Sequence, residues 1–136
     1  MKADKVIIDR SVYKKMEIAA KDSYPRESCA VLLGDLKTLH IKDLKILENN
    51  AKENFFEINP LELYKLEKEL KESEIVGFFH THTNFEAVLS NEDKEYMIPG
   101  LVYTVLSLTD VSFRRIRAYR KDIEKEIIKE IELTIY

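Results

Sequence analysis

Two periods of apolar residues alternate along this chain, and their changes mark out its elements. Residues 5–8 read as a short strand. From Asp9 or Ser11, either of which suits a helix cap, Val12, Met16, Ala19 and Ala20 fall toward one helical face as far as about residue 23. Pro25 stops that helix, and the apolar run at 28–33 predicts a buried strand ending at Gly34. Residues 38–47 and 55–58 predict two further strands. Asn59-Pro60 opens an amphipathic helix through about residue 71, with Leu61, Leu63, Tyr64, Leu66 and Leu70 as its apolar positions. Residues 74–82 predict a strand, 83–89 a loop, and a helix begins at Ser90. Residues 101–108 and 112–119 form a hairpin around Thr109-Asp110. In the tail, Ile123, Ile127, Ile128 and Ile131 fit a helix, while Ile131, Leu133 and Ile135 alternate like a strand. The alternation favours a strand at the very end. The whole is a mixed sheet with two or three helices.

Composition narrows the class. Hydrophobic residues make up 45% and charged residues 35% of the 136, the balance of a globular domain rather than a disordered chain. That length suits one domain, residues 1–136, with a real core. No apolar run approaches the roughly 20 residues a bilayer demands, and the first residues lack a signal-peptide apolar region, so no membrane partner is expected. Net charge is −3 with the signs interspersed, which leaves no footprint for nucleic acid. The one basic cluster, Arg114, Arg115, Arg117, Arg120 and Lys121, reads as a solvated strand edge. A single cysteine, Cys29, forbids an internal disulfide and fits a reducing, cytoplasmic setting. It reads as a small buried apolar residue.

Candidate chemistry centres on His80-Thr81-His82, which continues as H-x-H-x7-S-x-x-D through Ser90 and Asp93. On a strand, positions i and i+2 share a face roughly 7 Å apart, so two imidazoles can converge on one ion. Asp93 offers a third ligand. Three protein ligands and one open position are what a hydrolytic zinc site needs, and zinc activates water near neutral pH. Glu27, arriving from a different strand, suits the general base that moves a proton from water to the leaving amine. Ser90 suits hydrogen bonding to an oxyanion. Ser90-x-x-Asp93 also has the form of a helix N-cap with an acidic third residue, which would fix both side chains in space. His40 has no ligand partner nearby in sequence and reads as structural. The four-residue spacing alone arises by chance in on the order of one in several thousand chains of this length.

These residues resemble the JAMM/MPN+ metalloprotease family, whose motif places a Glu upstream of H-x-H-x7-S-x-x-D. The resemblance runs over essentially the whole chain. Residues 25–34 (Pro-Arg-Glu-Ser-Cys-Ala-Val-Leu-Leu-Gly) look like the segment bearing the family's glutamate, and 77–82 (Gly-Phe-Phe-His-Thr-His) look like its metal-binding strand. Residues 48–51 and 56–60 fall where the family has less specific segments. Thr83 stands where the family usually has Pro, and Ala30 where it usually has Gly.

The resemblance implies an α/β fold of MPN type (cytidine-deaminase-like), a curved mixed sheet flanked by two to three helices. It implies one Zn2+ per chain on His80, His82 and Asp93, with Glu27 and Ser90 catalytic. The implied activity is hydrolysis of isopeptide or peptide bonds at the C-terminus of a ubiquitin-like or sulfur-carrier protein, as in the small stand-alone archaeal and bacterial members. The alternative expectation is a non-enzymatic MPN-type interaction module. The oligomeric state is open, a homodimer included.

Overall fold

A computed structural model describes residues 5–47, 60–70, 73–82, 89, 94–95, 97–108, 116–124 and 127–136. The chain runs through β1 (Lys5–Ile8), α1 (Arg10–Ser23), β2 (Cys29–Asp35), β3 (His40–Leu47), α2 (Pro60–Glu69), β4 (Glu74–His82), β5 (Val102–Ser107), β6 (Ile116–Lys121) and β7 (Ile128–Ile135). The alternating tail is a strand, as its pattern predicts. The expected strand at 55–58 and the turn at Thr109-Asp110 lie outside the described residues.

The strands follow the order β1-β3-β2-β4-β5-β6-β7, and β7 returns to pair with β1. The sheet is mixed, as expected, but it closes into a seven-strand barrel instead of remaining an open curved layer flanked by helices. The cause is β1, which lies parallel to both β3 (Ile8↔Ile41) and β7 (Ile8↔Ile135). Tyr136 N–H donates to Ile8 O at 2.8 Å, and Arg10 N–H donates to Tyr136 O at 2.9 Å, which completes the seam. Each described strand therefore has a neighbour on both sides, the arrangement that removes sheet edges. Arg117, Arg120 and Lys121 sit on β6, between β5 and β7. That corrects the expectation of a basic edge strand; Arg114 and Arg115 lie outside the described residues.

Alternation along the strands builds two apolar clusters. One joins Val12, Met16 and Ala20 of α1 to Val6, Ile8, Leu32, Ile41, Phe79 and Leu106. The other joins Leu66 of α2 to Cys29, Val31, Phe78, Tyr103 and Val105, together with Leu89 and Met97. Phe78 and Phe79 are both fully buried, one in each cluster. Each contributes about 2–3 kcal/mol of hydrophobic stabilisation.

Local details refine the predicted helices. Asp9 is the N-cap of α1 but makes no side-chain cap hydrogen bond. Its Oδ1 instead lies 2.6 Å from His40 Nε2, which ties the start of α1 to the start of β3. Met16 and Val12 are fully buried and Ala19 is only half-buried, so the inward stripe is narrower than predicted. On α2, Leu66 is buried, whereas Leu61 and Tyr64 are exposed. The Lys68 ammonium lies 4.9 Å from the Tyr64 ring centroid, a contact that covers part of that ring.

One irregularity bears on the site. Between β2 and β4, Leu32 pairs with Gly77 but Leu33 pairs with Ile75, so Val76 is an extra residue. This bulge changes which face each later residue of β4 occupies. Beyond it, Phe78, His80 and His82 follow one face.

Candidate metal centre

β4 lies between β2 on one side and β5 on the other, and the site forms at the end of these three strands. Across β2–β4, Cys29 is the partner of His80. The next pair is Ser28 and Thr81, where Thr81 N–H donates to Ser28 O at 3.1 Å. Ser28 N–H donates to Thr81 Oγ1 at 2.8 Å. Glu27 is the residue before Ser28, in the segment that leads into β2. Glu27, His80 and His82 are 3%, 1% and 0% exposed, so all three polar groups are withdrawn from solvent.

The imidazoles converge. His80 Nε2 and His82 Nε2 are 3.2 Å apart, with ring centroids 5.0 Å apart at 60°. Two nitrogens bound tetrahedrally to zinc at about 2.0–2.1 Å would be about 3.3 Å apart. The pair therefore already has the spacing of two ligands on one ion. The same distance admits an N–H···N hydrogen bond when one Nε2 is protonated, and both rings must be Nδ1–H tautomers to ligate through Nε2. The two imidazoles suit a zinc ion that draws its remaining ligands from elsewhere.

Of the predicted site residues, the structure brings together His80 and His82, and Glu27 is buried two residues before β2. Ser90 and Asp93 lie outside the described residues. Among the described residues, no group of three His, Cys, Asp or Glu side chains could hold a metal. Leu89 and Met97, on either side of Ser90 and Asp93 in sequence, are both buried in the cluster that contains Cys29 and Phe78. Lys94 and Glu95 are helical.

Ser107 belongs beside these residues and was not anticipated. It is fully buried and is the partner of His82 across the parallel β4–β5 pair. Leu108 N–H donates to His82 O at 3.1 Å, so β5 holds the end of the ligand strand from the other side. The only sequence signal is a hydroxyl closing the buried run Val102–Leu106. Cys29 is buried as expected, with Sγ 3.9 Å from Leu47 O. His40 pairs with Asp9 and is structural, as read.

The family described as prokaryotic homologues of the JAB domain (Prok-JAB) matches residues 9–120. No curated protein matches the sequence. A solution structure of a protein from Desulfitobacterium hafniense superposes with a TM-score of 0.81 at 22% identity, covering 96% of this chain and 92% of that one. A solution structure from Salinibacter ruber gives 0.69 at 19% identity, covering 100% and 92%. The crystal structure of a JAB1/MPN domain protein from Archaeoglobus fulgidus gives 0.60 at 20% identity, covering 98% and 99%. At these identities the three structures establish the shared fold.

Proposed function

The chain belongs to the family of prokaryotic JAB-domain homologues, and from its site we infer a zinc-dependent metallopeptidase acting at the C-terminus of a ubiquitin-like or sulfur-carrier protein. The observation that carries this reading is the 3.2 Å approach of the buried His80 and His82 Nε2 atoms. Closed structural zinc sites use four protein ligands, whereas two imidazoles and one carboxylate leave a position open for water.

In this mechanism His80 and His82 hold the ion, with Asp93 as third ligand. Bound zinc supplies Lewis-acid activation of water near neutral pH. Glu27 accepts a proton from the attacking water and returns it to the departing amine, the lysine Nζ of an isopeptide or the α-amine of a peptide. The Ser90 hydroxyl donates to the oxyanion of the tetrahedral intermediate. Small C-terminal residues of the carrier, such as glycine, let its backbone approach a site this deeply set.

The test is elemental analysis of purified protein beside His82→Ala, followed by cleavage assays. A β-grasp carrier protein ending in Gly-Gly serves as substrate, extended either by a linear peptide or through a lysine isopeptide. We expect about one zinc per wild-type chain, its loss in His82→Ala, and cleavage that a chelator abolishes. Folded wild-type protein that takes up no zinc and cleaves neither substrate would overturn the reading in favour of an interaction module. The ratio of the two cleavage rates separates deconjugation from precursor processing.

A further inference from the structure

The residue between the two histidines is itself placed to serve the site. Thr81 is fully buried, and alternation along β4 turns its side chain to the face opposite His80 and His82. It cannot join them as a ligand. Two of its contacts go to Ser28, the residue just before β2. Its N–H donates to Ser28 O at 3.1 Å, and its Oγ1 accepts from Ser28 N–H at 2.8 Å.

In a regular antiparallel pair, the second of these bonds would run to a backbone carbonyl. Here a side-chain hydroxyl replaces it, at the step where β2 gives way to the segment carrying Glu27. The N–H that Thr81 captures belongs to the Glu27–Ser28 peptide, so the bond restrains the backbone immediately after the Glu27 Cα. The same residue is covalently joined to both His80 and His82. One side chain therefore fixes the carboxylate's anchor relative to both imidazoles.

We propose that Thr81 is a positioning residue, whose hydroxyl clamps the Glu27–Ser28 peptide so that the Glu27 carboxylate stays within proton-transfer reach of water held at the histidine pair. The proposal rests on the hydrolytic reading of the site. Its chemical demand is specific, because a hydroxyl acceptor is needed and the shape of the side chain is not enough. Valine reproduces the shape of threonine without the acceptor, and serine keeps the acceptor while losing a methyl group. Displacement of a catalytic group by about 1 Å can lower turnover by about a hundredfold without touching the substrate.

The experiment compares zinc-loaded wild type, Thr81→Val and Thr81→Ser, each also in a Glu27→Gln background. Amide hydrogen exchange at Ser28 is read by NMR beside zinc content and the cleavage kinetics of the linear Gly-Gly carrier fusion. The expected result is full zinc content in every variant and faster exchange at Ser28 in Thr81→Val. The kcat of Thr81→Val falls by about tenfold to a hundredfold at unchanged KM, and Thr81→Ser restores both exchange and kcat. In the Glu27→Gln background, Thr81→Val costs nothing further. Wild-type kcat in Thr81→Val, a loss that serine does not rescue, or an equal loss without Glu27 would each overturn the positioning role. If wild type cleaves nothing, the hydrolytic reading falls and this role falls with it. The Ser28 exchange rates then still report the clamp itself, and unchanged exchange in Thr81→Val refutes it.

Discussion

Gly77→Ala is the substitution that most directly tests the packing under the histidine pair. Gly77 pairs with Leu32 of β2 and with Val102 of β5, so its backbone is enclosed by strands on both sides. A Cβ built there would lie 1.7 Å from Val102 O, 2.6 Å from its carbonyl carbon and 2.7 Å from its nitrogen. All three are backbone atoms, so no side chain can rotate away to relieve the clash. Real Cβ contacts essentially never fall under 3.0 Å, so the two strands must separate by more than 1 Å in the direction of their hydrogen bonds. Overpacking of this kind costs about 1–3 kcal/mol, and ladder groups pulled from their partners add about 1–3 kcal/mol. The predicted destabilisation is about 2–6 kcal/mol, a fall in Tm of roughly 6–25 °C for a chain of this size. Gly100→Ala is the control. Gly100 sits at φ +89°, where a Cβ would meet, among the described residues, the Ile123 side chain at 3.2 Å. It should lose about 1–2 kcal/mol from backbone strain alone. Thermal and urea unfolding followed by circular dichroism measure both variants. A Gly77→Ala protein within about 4 °C of wild type, or no less stable than Gly100→Ala, would refute the close approach of β4 and β5.

Two further predictions concern ionisable groups. Burial pushes the Tyr103 hydroxyl up to about 12, against the smaller opposing effect of the hydrogen bond it accepts from Ile98 N–H at 2.8 Å. The unfolded chain ionises first, near pH 10, so stability present below that pH is lost as pH rises toward about 12, roughly 2–3 kcal/mol in all. The difference between wild type and Tyr103→Phe in urea unfolding should narrow or reverse across this window, and parallel curves from pH 9 to 12 would contradict it. At the site, Glu27→Gln should keep its zinc by elemental analysis while losing about a hundredfold or more in turnover. Near-normal turnover in that variant would remove Glu27 from the proton-transfer role.

Much of this architecture can be read locally, and the parts that cannot share a physical cause. Val12, Met16 and Ala20 announce α1 because a helix repeats over a few residues. Ile131, Leu133 and Ile135 likewise announce β7. Nothing local names β1 as the partner of β7, since Lys5–Ile8 and Ile128–Ile135 lie at opposite ends of the chain. Barrel closure therefore escapes a reading based on periods, and so does the interior position of the charged strand β6. The extra residue Val76 escapes it as well, because a bulge is a property of the pair of strands. His80 and His82 were legible because their spacing alone sets them on one face beyond that bulge. Ser107 and the Thr81 hydroxyl became visible only through register.

The topology also accounts for the spacing of the motif. β4 and β5 run parallel, so the chain leaving His82 cannot turn back directly and must cross over to re-enter at Val102. Ser90 and Asp93 lie in that crossover, which begins at the carboxyl end of β4. Open α/β sheets characteristically bind ligands at the carboxyl ends of their strands, where connecting segments can meet. In this barrel, β5 sets Ser107 beside His82 from one side, and Ser28, next to Glu27, hydrogen-bonds to Thr81 from the other. The crossover has to start where the ligand strand ends. A third ligand supplied by the crossover can reach the ion only if its own flanks are anchored nearby. Leu89 and Met97, buried in the cluster that contains Cys29 and Phe78, provide such anchors before and after it. On the proposed hydrolytic reading, the demand is two ligands on the rigid strand and one on the connection that follows it. H-x-H-x7-S-x-x-D is a linear record of that demand.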